Sequence, residues 1–324
     1  MVDLATIYLP VQRDLDALEG LLHAELVSND PFIGELVAYV LSTRGKLVRP
    51  ALTCLSAAAI GGGEQERLYI AGTVELIHLA SLIHDDIIDA ADTRRGTPTV
   101  NVQWGNQIAV LLGDLLFARA FDLISRVRHP AVAPAIADAA VRMSQAEIKQ
   151  TRVASEPHSD ESVYLDIIEG KTAALFAAAC RAGALVAGAT PAQAGALAAF
   201  GLAWGMSFQI TDDALDLTSR AEELGKPIGS DIQGGKITLP IIHALRSAGA
   251  ADRTALTRLL ALPSPDGKME EVRLLLGRSG AIDYALGVAR LYAGRAAAAL
   301  STLPASPARE SLQELTEFVL VRPR

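Results

Sequence analysis

Residues 75–96 read ELIHLASLIHDDIIDAADTRRG. On a helix of 3.6 residues per turn, Asp85 and Asp89 stack one above the other, and Ile83, Ile87 and Ile88 complete the turn. Stacked carboxylates on an apolar helix repel each other and lose hydration unless a cation neutralises them. Oxygen donors suit a hard ion such as Mg²⁺. The same device returns 127 residues later as Asp212, Asp213 and Asp216 in SFQITDDALDLT. One such cluster could be a solvated helix end. Two nearly identical ones ask for a ligand of high negative charge, and a diphosphate held through Mg²⁺ ions meets that demand.

Working outward from this stretch, helical periodicity dominates, and no convincing strand alternation interrupts it. Asp30-Pro31 is an N-cap followed by proline at the first helical position, opening a helix over 32–43 that breaks at Arg44-Gly45. The next helix, about 49–60, stops at Gly61-Gly62-Gly63, and the long aspartate-bearing helix follows to about Asp89. Further helices are expected over about 107–127, 131–153, 161–169 and 171–188, and Thr190-Pro191 opens the one that carries the second cluster. The polar, glycine-containing stretch 217–235 has the length of a lid. Helices resume near Ile237, with breaks near Pro263–Pro265 and Pro304–Pro307. No linker or fixed-period repeat appears, so the expectation is one all-α domain over 1–324.

The chain's 324 residues can bury a large core, and with half of them apolar but only 5% aromatic, that core is built of Ala, Leu, Val and Ile. A formal charge of −8 argues against non-specific nucleic-acid binding and makes any basic cluster a local feature to be explained. Cys54 and Cys180 both lie in apolar helical text and read as reduced core thiols of a cytoplasmic protein. The N-terminal segment lacks the pattern of a signal peptide, and no run of about 20 apolar residues suggests a membrane span.

The cations gather around the aspartates. Lys46 and Arg49, in GKLVRP (45–50), could grip one phosphate from two sides; the bland alternative is a C-cap lysine beside an exposed arginine. His78 lies seven residues before Asp85 and shares its stripe, although a lone histidine on an apolar helix is usually a core residue. Arg94-Arg95 follows the first cluster directly. Lys171-Thr172, after Gly170, is expected at a helix start, where an N–H, a hydroxyl and an ammonium can converge on phosphate. Lys226 and Lys236 flank the lid-like stretch, and Gln209 sits one turn before the second cluster.

These motifs together make the chain similar to the trans-isoprenyl diphosphate synthases (polyprenyl synthetases) over about residues 30–322. The resemblance is carried by GKLVRP, DDIID with RRG, Gly113-Asp114, GKTAALF (170–176), and DDALD with GKPIGSDIQGGKITLP (225–240). It implies a single isoprenoid-synthase-type helical bundle around a central cavity. Isopentenyl diphosphate would there be condensed head-to-tail with an allylic diphosphate. By the resemblance, Asp85, Asp89, Asp212 and Asp216 would hold Mg²⁺, with roughly three ions expected. Arg94, Lys171, Thr172, Gln209, Lys226 and Lys236 would bind the allylic diphosphate, and Lys46, Arg49, His78 and Arg95 isopentenyl diphosphate. Asp86 and Asp213 point about 100° away from their stripes, so direct ligation by them is less expected.

In this family, bulky aromatics four or five residues before the first aspartate stop chain growth. Here those positions are Ser81 and Ala80, both small. Ile77, Thr73 and neighbours such as Phe117, Phe121 or Ile136 would then set the floor, giving a product of about six to ten isoprene units. A C20 product is the alternative if a lower side chain blocks the way. The text from TPTVNVQW to GMSFQITDD is also similar to the catalytic subunits of two-component heptaprenyl diphosphate synthases, so a heteromeric partner is a further alternative. A terpene cyclase fits less well, because GKLVRP would serve a second diphosphate. An HD-type phosphohydrolase would need more clustered His and Asp ligands than this chain offers. The resemblance implies a homodimer and no nucleic-acid partner, with a lipophilic product that could bring the enzyme to membranes.

Overall fold

The computed structural model describes residues 3–42, 45–154, 160–218, 230–262 and 269–321. Almost all of them are helical, as the periodicity requires. Helices α1 (Leu4–Tyr8) and α2 (Gln12–Glu25), which the motif reading passed over, precede α3 (Pro31–Ser42). The Asp30 carboxylate accepts the Phe32 amide at 2.8 Å, so the predicted cap opens α3. The break proposed at Arg44 lies outside the described residues. Helix α4 (Val48–Ile60) ends at Gly61 with φ +99°, a conformation that glycine adopts without strain. Helix α5 (Glu64–Ile88) is capped by Asp89.

After α5 comes what periodicity did not signal, a two-residue ladder of β1 (Thr93–Arg94) and β2 (Thr97–Pro98). Then follow α6 (Val100–Trp104), α7 (Asn106–Ser125), α8 (Val132–Ala154), α9 (Glu161–Ile168), α10 (Ala174–Val186) and α11 (Pro191–Thr218). The remaining elements are α12 (Ser230–Gln233), α13 (Leu239–Ser247), α14 (Ala250–Leu260), α15 (Met269–Arg278), α16 (Ala281–Ala299) and α17 (Pro307–Val321). Among the described residues, no helix is long and apolar enough to cross a membrane.

The chain divides into two compact units: Met1–Ala140 with Leu175–Gly201 and Ala297–Leu315, and Val141–Ala174 with Leu202–Ala296 and Thr316–Arg324. In the first, α5 is the central helix and packs chiefly on α7 and α4. Its buried stripe includes Ile70, Val74, Ile77 and Ala80. Close approach depends on small residues. A Cβ on Gly183 of α10 would stand 2.2 Å from the Thr53 carbonyl of α4, so only glycine fits there. Arg67 of α5 pairs with Asp14 of α2 at 2.8 Å. Cys54 and Cys180 are free and buried in this unit, and burial pushes the Cys180 thiol up to about 12.

In the second unit, Tyr164, Ile168, Met206, Ile210, Leu239 and Ile242 form one core cluster. Leu217, Ile241, Leu256, Leu259, Leu275 and Leu276 form another.

Candidate active site

In the first unit, α5 places Asp85 half-buried and Asp89 exposed at its end, while Asp86 is buried. The β1–β2 hairpin then returns the chain over this end. Arg95 and Gly96 take φ of +53° and +75°, as a two-residue hairpin turn requires. The turn sends Arg94 and Arg95 to different partners. Arg94 clamps Asp86, with Nε 2.9 and 3.1 Å from its two oxygens and Nη2 2.7 Å from one of them. The guanidinium of Arg95 occupies the space a side chain at Gly45 would need, since a Cβ there would meet Nη2 at 2.5 Å. Gly45 is therefore small because Arg95 lies against it.

Arg49 joins the same neighbourhood, its guanidinium 4.4 Å from the Phe176 ring centre and its Nε buried without a hydrogen-bond partner among the described residues. Burial lowers its pKa to about 10, against the opposing charge of buried Glu75. Burial, then the charges of Arg49, Arg94 and Arg95, hold the His78 imidazole neutral, well below its ordinary range. Burial and Arg94 likewise lower Arg95. The charges of three guanidinium groups thus act on one buried histidine, a local excess of positive charge despite Glu75. A polyanion would relieve it. Exposed Lys46 sits beside Gly45 in the same segment. Four residues expected at isopentenyl diphosphate, Lys46, Arg49, His78 and Arg95, thus belong to this one unit.

Of the groups expected at the allylic diphosphate, Arg94 belongs to the first unit, whereas Lys171, Thr172, Gln209 and Lys236 belong to the second. Lys171 and Thr172 do not stand at a helix start, which corrects the reading from Gly170. The chain runs through Glu169–Ala173 as a π-turn joining α9 to α10. Gly170 allows it to pass α8, since a Cβ there would lie 2.8 Å from that of Ala146. Single π-turns inside helices are frequent at functional sites, because the extra residue re-aims its neighbours. Nζ of Lys171 donates to Gln150 at 2.8 Å and pairs with Glu147, both on α8. Neither α8 residue was singled out from the sequence. Their one-turn spacing was the available signal, but on an exposed-looking helix it is indistinguishable from an ordinary polar face.

Asp213 is buried and accepts from Tyr164 Oη at 2.6 Å and from Gln209 Nε2 at 2.7 Å. Gln209 Oε1 in turn accepts from Thr172 Oγ1 at 2.8 Å. Burial and the neighbouring Asp231 and Asp212 raise the Asp213 carboxyl well above the usual carboxylate range, against the two hydrogen bonds. Asp212 is half-exposed, whereas Asp216 is buried and takes the Asp231 amide at 3.2 Å. Lys171, Thr172, Gln209, Asp213 and Lys236 line one cavity of about 100 Å³. Lys226 lies outside the described residues, as does most of the lid-like stretch.

Among the described residues, no group of three or more His, Cys, Asp or Glu side chains converges to hold a metal unaided. Mg²⁺ usually takes one or two carboxylates and completes its shell with substrate phosphate and water. Asp85 with Asp89, and Asp212 with Asp216, fit that donor set.

Of the expected chain-length residues, Ala80 and Ile77 are buried on α5, and Ser81 is half-buried, its hydroxyl donating to the His78 carbonyl at 2.8 Å. Thr73 is buried and donates to the Tyr69 carbonyl at 2.8 Å. Phe117 is half-buried, with its ring 6.0 Å from that of His84. Phe121, 58% exposed on α7, is not part of the buried wall of this chain.

Comparison with known proteins matches residues 30–276 to the polyprenyl synthetase family. The chain is 35% identical over 302 residues to an octaprenyl diphosphate synthase of Haemophilus influenzae, covering 93% of this chain and 92% of that one. It is 40% identical over 290 residues to a short chain isoprenyl diphosphate synthase of Methanothermobacter thermautotrophicus, with 88% of each covered. It is 37% identical over 319 residues to heptaprenyl diphosphate synthase component 2 of Geobacillus stearothermophilus, with 98% of each covered. A crystal structure of a polyprenyl synthase from Caulobacter crescentus, complexed with calcium and isoprenyl diphosphate, superposes with a TM-score of 0.94 at 35% identity over 98% of this chain and 97% of that one. The chain belongs to the polyprenyl synthetase family.

Proposed function

We propose that this member of the polyprenyl synthetase family condenses isopentenyl diphosphate with an allylic diphosphate, head-to-tail and trans, to make a polyprenyl diphosphate of about six to ten isoprene units. It is a prenyltransferase, an enzyme with a helical isoprenoid-synthase fold. The observation that carries the detailed reading is the pair of cation groups, one accompanying each aspartate motif. The charges of Arg49, Arg94 and Arg95 act on buried His78, and Lys171 and Lys236 line the cavity of Asp213. Two diphosphates, each needing its own counter-charges, account for both groups.

In this reading, Lys46, Arg49, His78 and Arg95 hold isopentenyl diphosphate, with neutral His78 donating a hydrogen bond. Arg94, Lys171, Thr172, Gln209, Lys226 and Lys236 hold the allylic diphosphate. Mg²⁺ bound by Asp85, Asp89, Asp212 and Asp216 would neutralise the departing diphosphate. The lysines and Arg94 stabilise the same charge as the allylic C–O bond ionises. Neutral side chains such as Leu175 and Phe208 keep water from the allylic cation. The isopentenyl double bond attacks C1 of that cation, and the released diphosphate takes the proton. Both units supply residues to this chemistry, so we read 1–324 as one catalytic domain. Every boundary between the units falls inside a helix, which supports that reading.

Small residues at Ala80 and Ser81 support the long product, and the octaprenyl-forming relative agrees with it. The short-chain relative keeps a C20 product as the second reading. We further propose a homodimer through the exposed apolar face of α7, where Val110, Leu111 and Phe121 stand in solvent. The component 2 relative supports testing a heteromeric partner as well. A cytoplasmic location accords with the buried thiols.

The test is product length. Purified chain, Mg²⁺, and farnesyl and isopentenyl diphosphates are incubated, and the dephosphorylated prenols are separated. A ladder ending at C30 to C50 is expected. A stop at C20 would overturn the long product, and no product from the chain alone would point to the second subunit.

A further inference from the structure

Tyr164 belongs to none of the phosphate or aspartate motifs, yet its hydroxyl begins a chain of hydrogen bonds that ends at two of them. Its ring is buried in the core cluster with Ile168, Met206, Ile210 and Leu239, which fixes where the hydroxyl stands. That hydroxyl donates to Oδ2 of Asp213 at 2.6 Å, while Gln209 Nε2 donates to Oδ1 at 2.7 Å. Both Asp213 oxygens accept in this arrangement, so the NH2 of the Gln209 amide faces the carboxyl group. The amide oxygen is thereby turned to the Thr172 hydroxyl, which donates to it at 2.8 Å. The orientation of Gln209 is thus inherited from Asp213, and that of Asp213 from Tyr164.

We infer that Tyr164 is a positioning residue for allylic diphosphate binding, acting through Asp213 to set the direction of the remaining Gln209 N–H and to anchor the Thr172 side chain. The inference rests on the prenyltransfer reading, in which those two side chains meet the allylic diphosphate. Without the phenol, Asp213 keeps one of its two fixed donors and can rotate about its terminal torsion. The amide of Gln209 then loses its single orientation. No part of the isopentenyl group, which lies in the other unit, depends on this chain of bonds.

The experiment measures steady-state KM for farnesyl and isopentenyl diphosphates in wild type and Tyr164→Phe, each with and without Gln209→Ala. The expected result is a rise of about tenfold in the allylic KM with the isopentenyl KM unchanged. In the Gln209→Ala background, Tyr164→Phe is expected to add nothing, because the residue it acts through is already gone. KM does not depend on the folded fraction, so partial loss of protein cannot imitate this pattern. Tyr164→Met fills the space without a donor and serves as a second variant, either one sufficing if the other does not fold. Equal rises in both KM values, an unchanged allylic KM, or a full additional effect on top of Gln209→Ala would overturn the inference. Wild-type enzyme that does not turn over these substrates would instead overturn the prenyltransfer reading, and the inference with it.

Discussion

The two aspartate-rich turns carry nearly the same residues, but their middle aspartates are held by opposite kinds of partner. Asp86 is buried against the guanidinium of Arg94, a charged clamp delivered by the hairpin that follows α5. Asp213 is buried between a phenol and an amide, both neutral, with Asp212 and Asp231 adding like charge. A charged clamp stabilises the carboxylate, whereas neutral donors amid like charges leave ionisation costly. Equal motifs in sequence are therefore unequal in electrostatics. In both, the middle aspartate is held by side chains of its own unit.

The largest effect tests what the motifs share. Asp85→Ala and Asp212→Ala are each expected to lower turnover roughly a thousandfold while helical circular dichroism stays unchanged. Near wild-type turnover in either would remove that motif from the metal assignment. Next comes the difference between the middle positions. Asp86→Asn leaves the Arg94 guanidinium half-paired and should cost about 2 kcal/mol of stability. Asp213→Asn removes a charge the site already disfavours and should cost less than about 1 kcal/mol. Thermal melts at neutral pH give the comparison, and a reversed order would show that its electrostatic account is wrong.

Gly45→Ala then probes the first region alone. The new Cβ displaces the end of a flexible arginine, not backbone, so stability should hold. The isopentenyl KM should nevertheless rise about tenfold as Arg95 moves. An unchanged KM would take Arg95 out of the site. The smallest effect concerns His78, whose folded imidazole is held well below its ordinary pKa of 6.5. Below pH 6.5 the unfolded imidazole takes up a proton that the folded one refuses, so stability falls as the pH drops. Between pH 6.5 and 5.5 that loss should be about 1 kcal/mol, and His78→Asn should abolish it. Denaturant melts across that range would show an unaltered slope if His78 titrates normally.

Helices α3, α5 and α11 were legible because Asp30-Pro31, the glycine run 61–63 and Thr190-Pro191 act through local backbone chemistry. The β1–β2 hairpin was not, because two residues per strand leave no periodicity to read. Its turn places non-glycine Arg95 at positive φ, a choice imposed by its surroundings. Gly170 before Lys171 suggests a helix start, because glycine usually breaks a helix. Packing against Ala146 instead makes that glycine the condition for a π-turn.

By itself, the sequence determined the all-helical class, the two carboxylate stripes and the identity of the cations, since helix period and charge are properties of neighbouring residues. Only the tertiary structure decided that Arg94 clamps Asp86 while Arg95 lies on Gly45. It also decided that Glu147 and Gln150 hold Lys171, and that Tyr164 stands behind Asp213. Those pairings join residues on different elements. Their geometry follows from how closely small residues let backbones approach, which residue order alone does not specify.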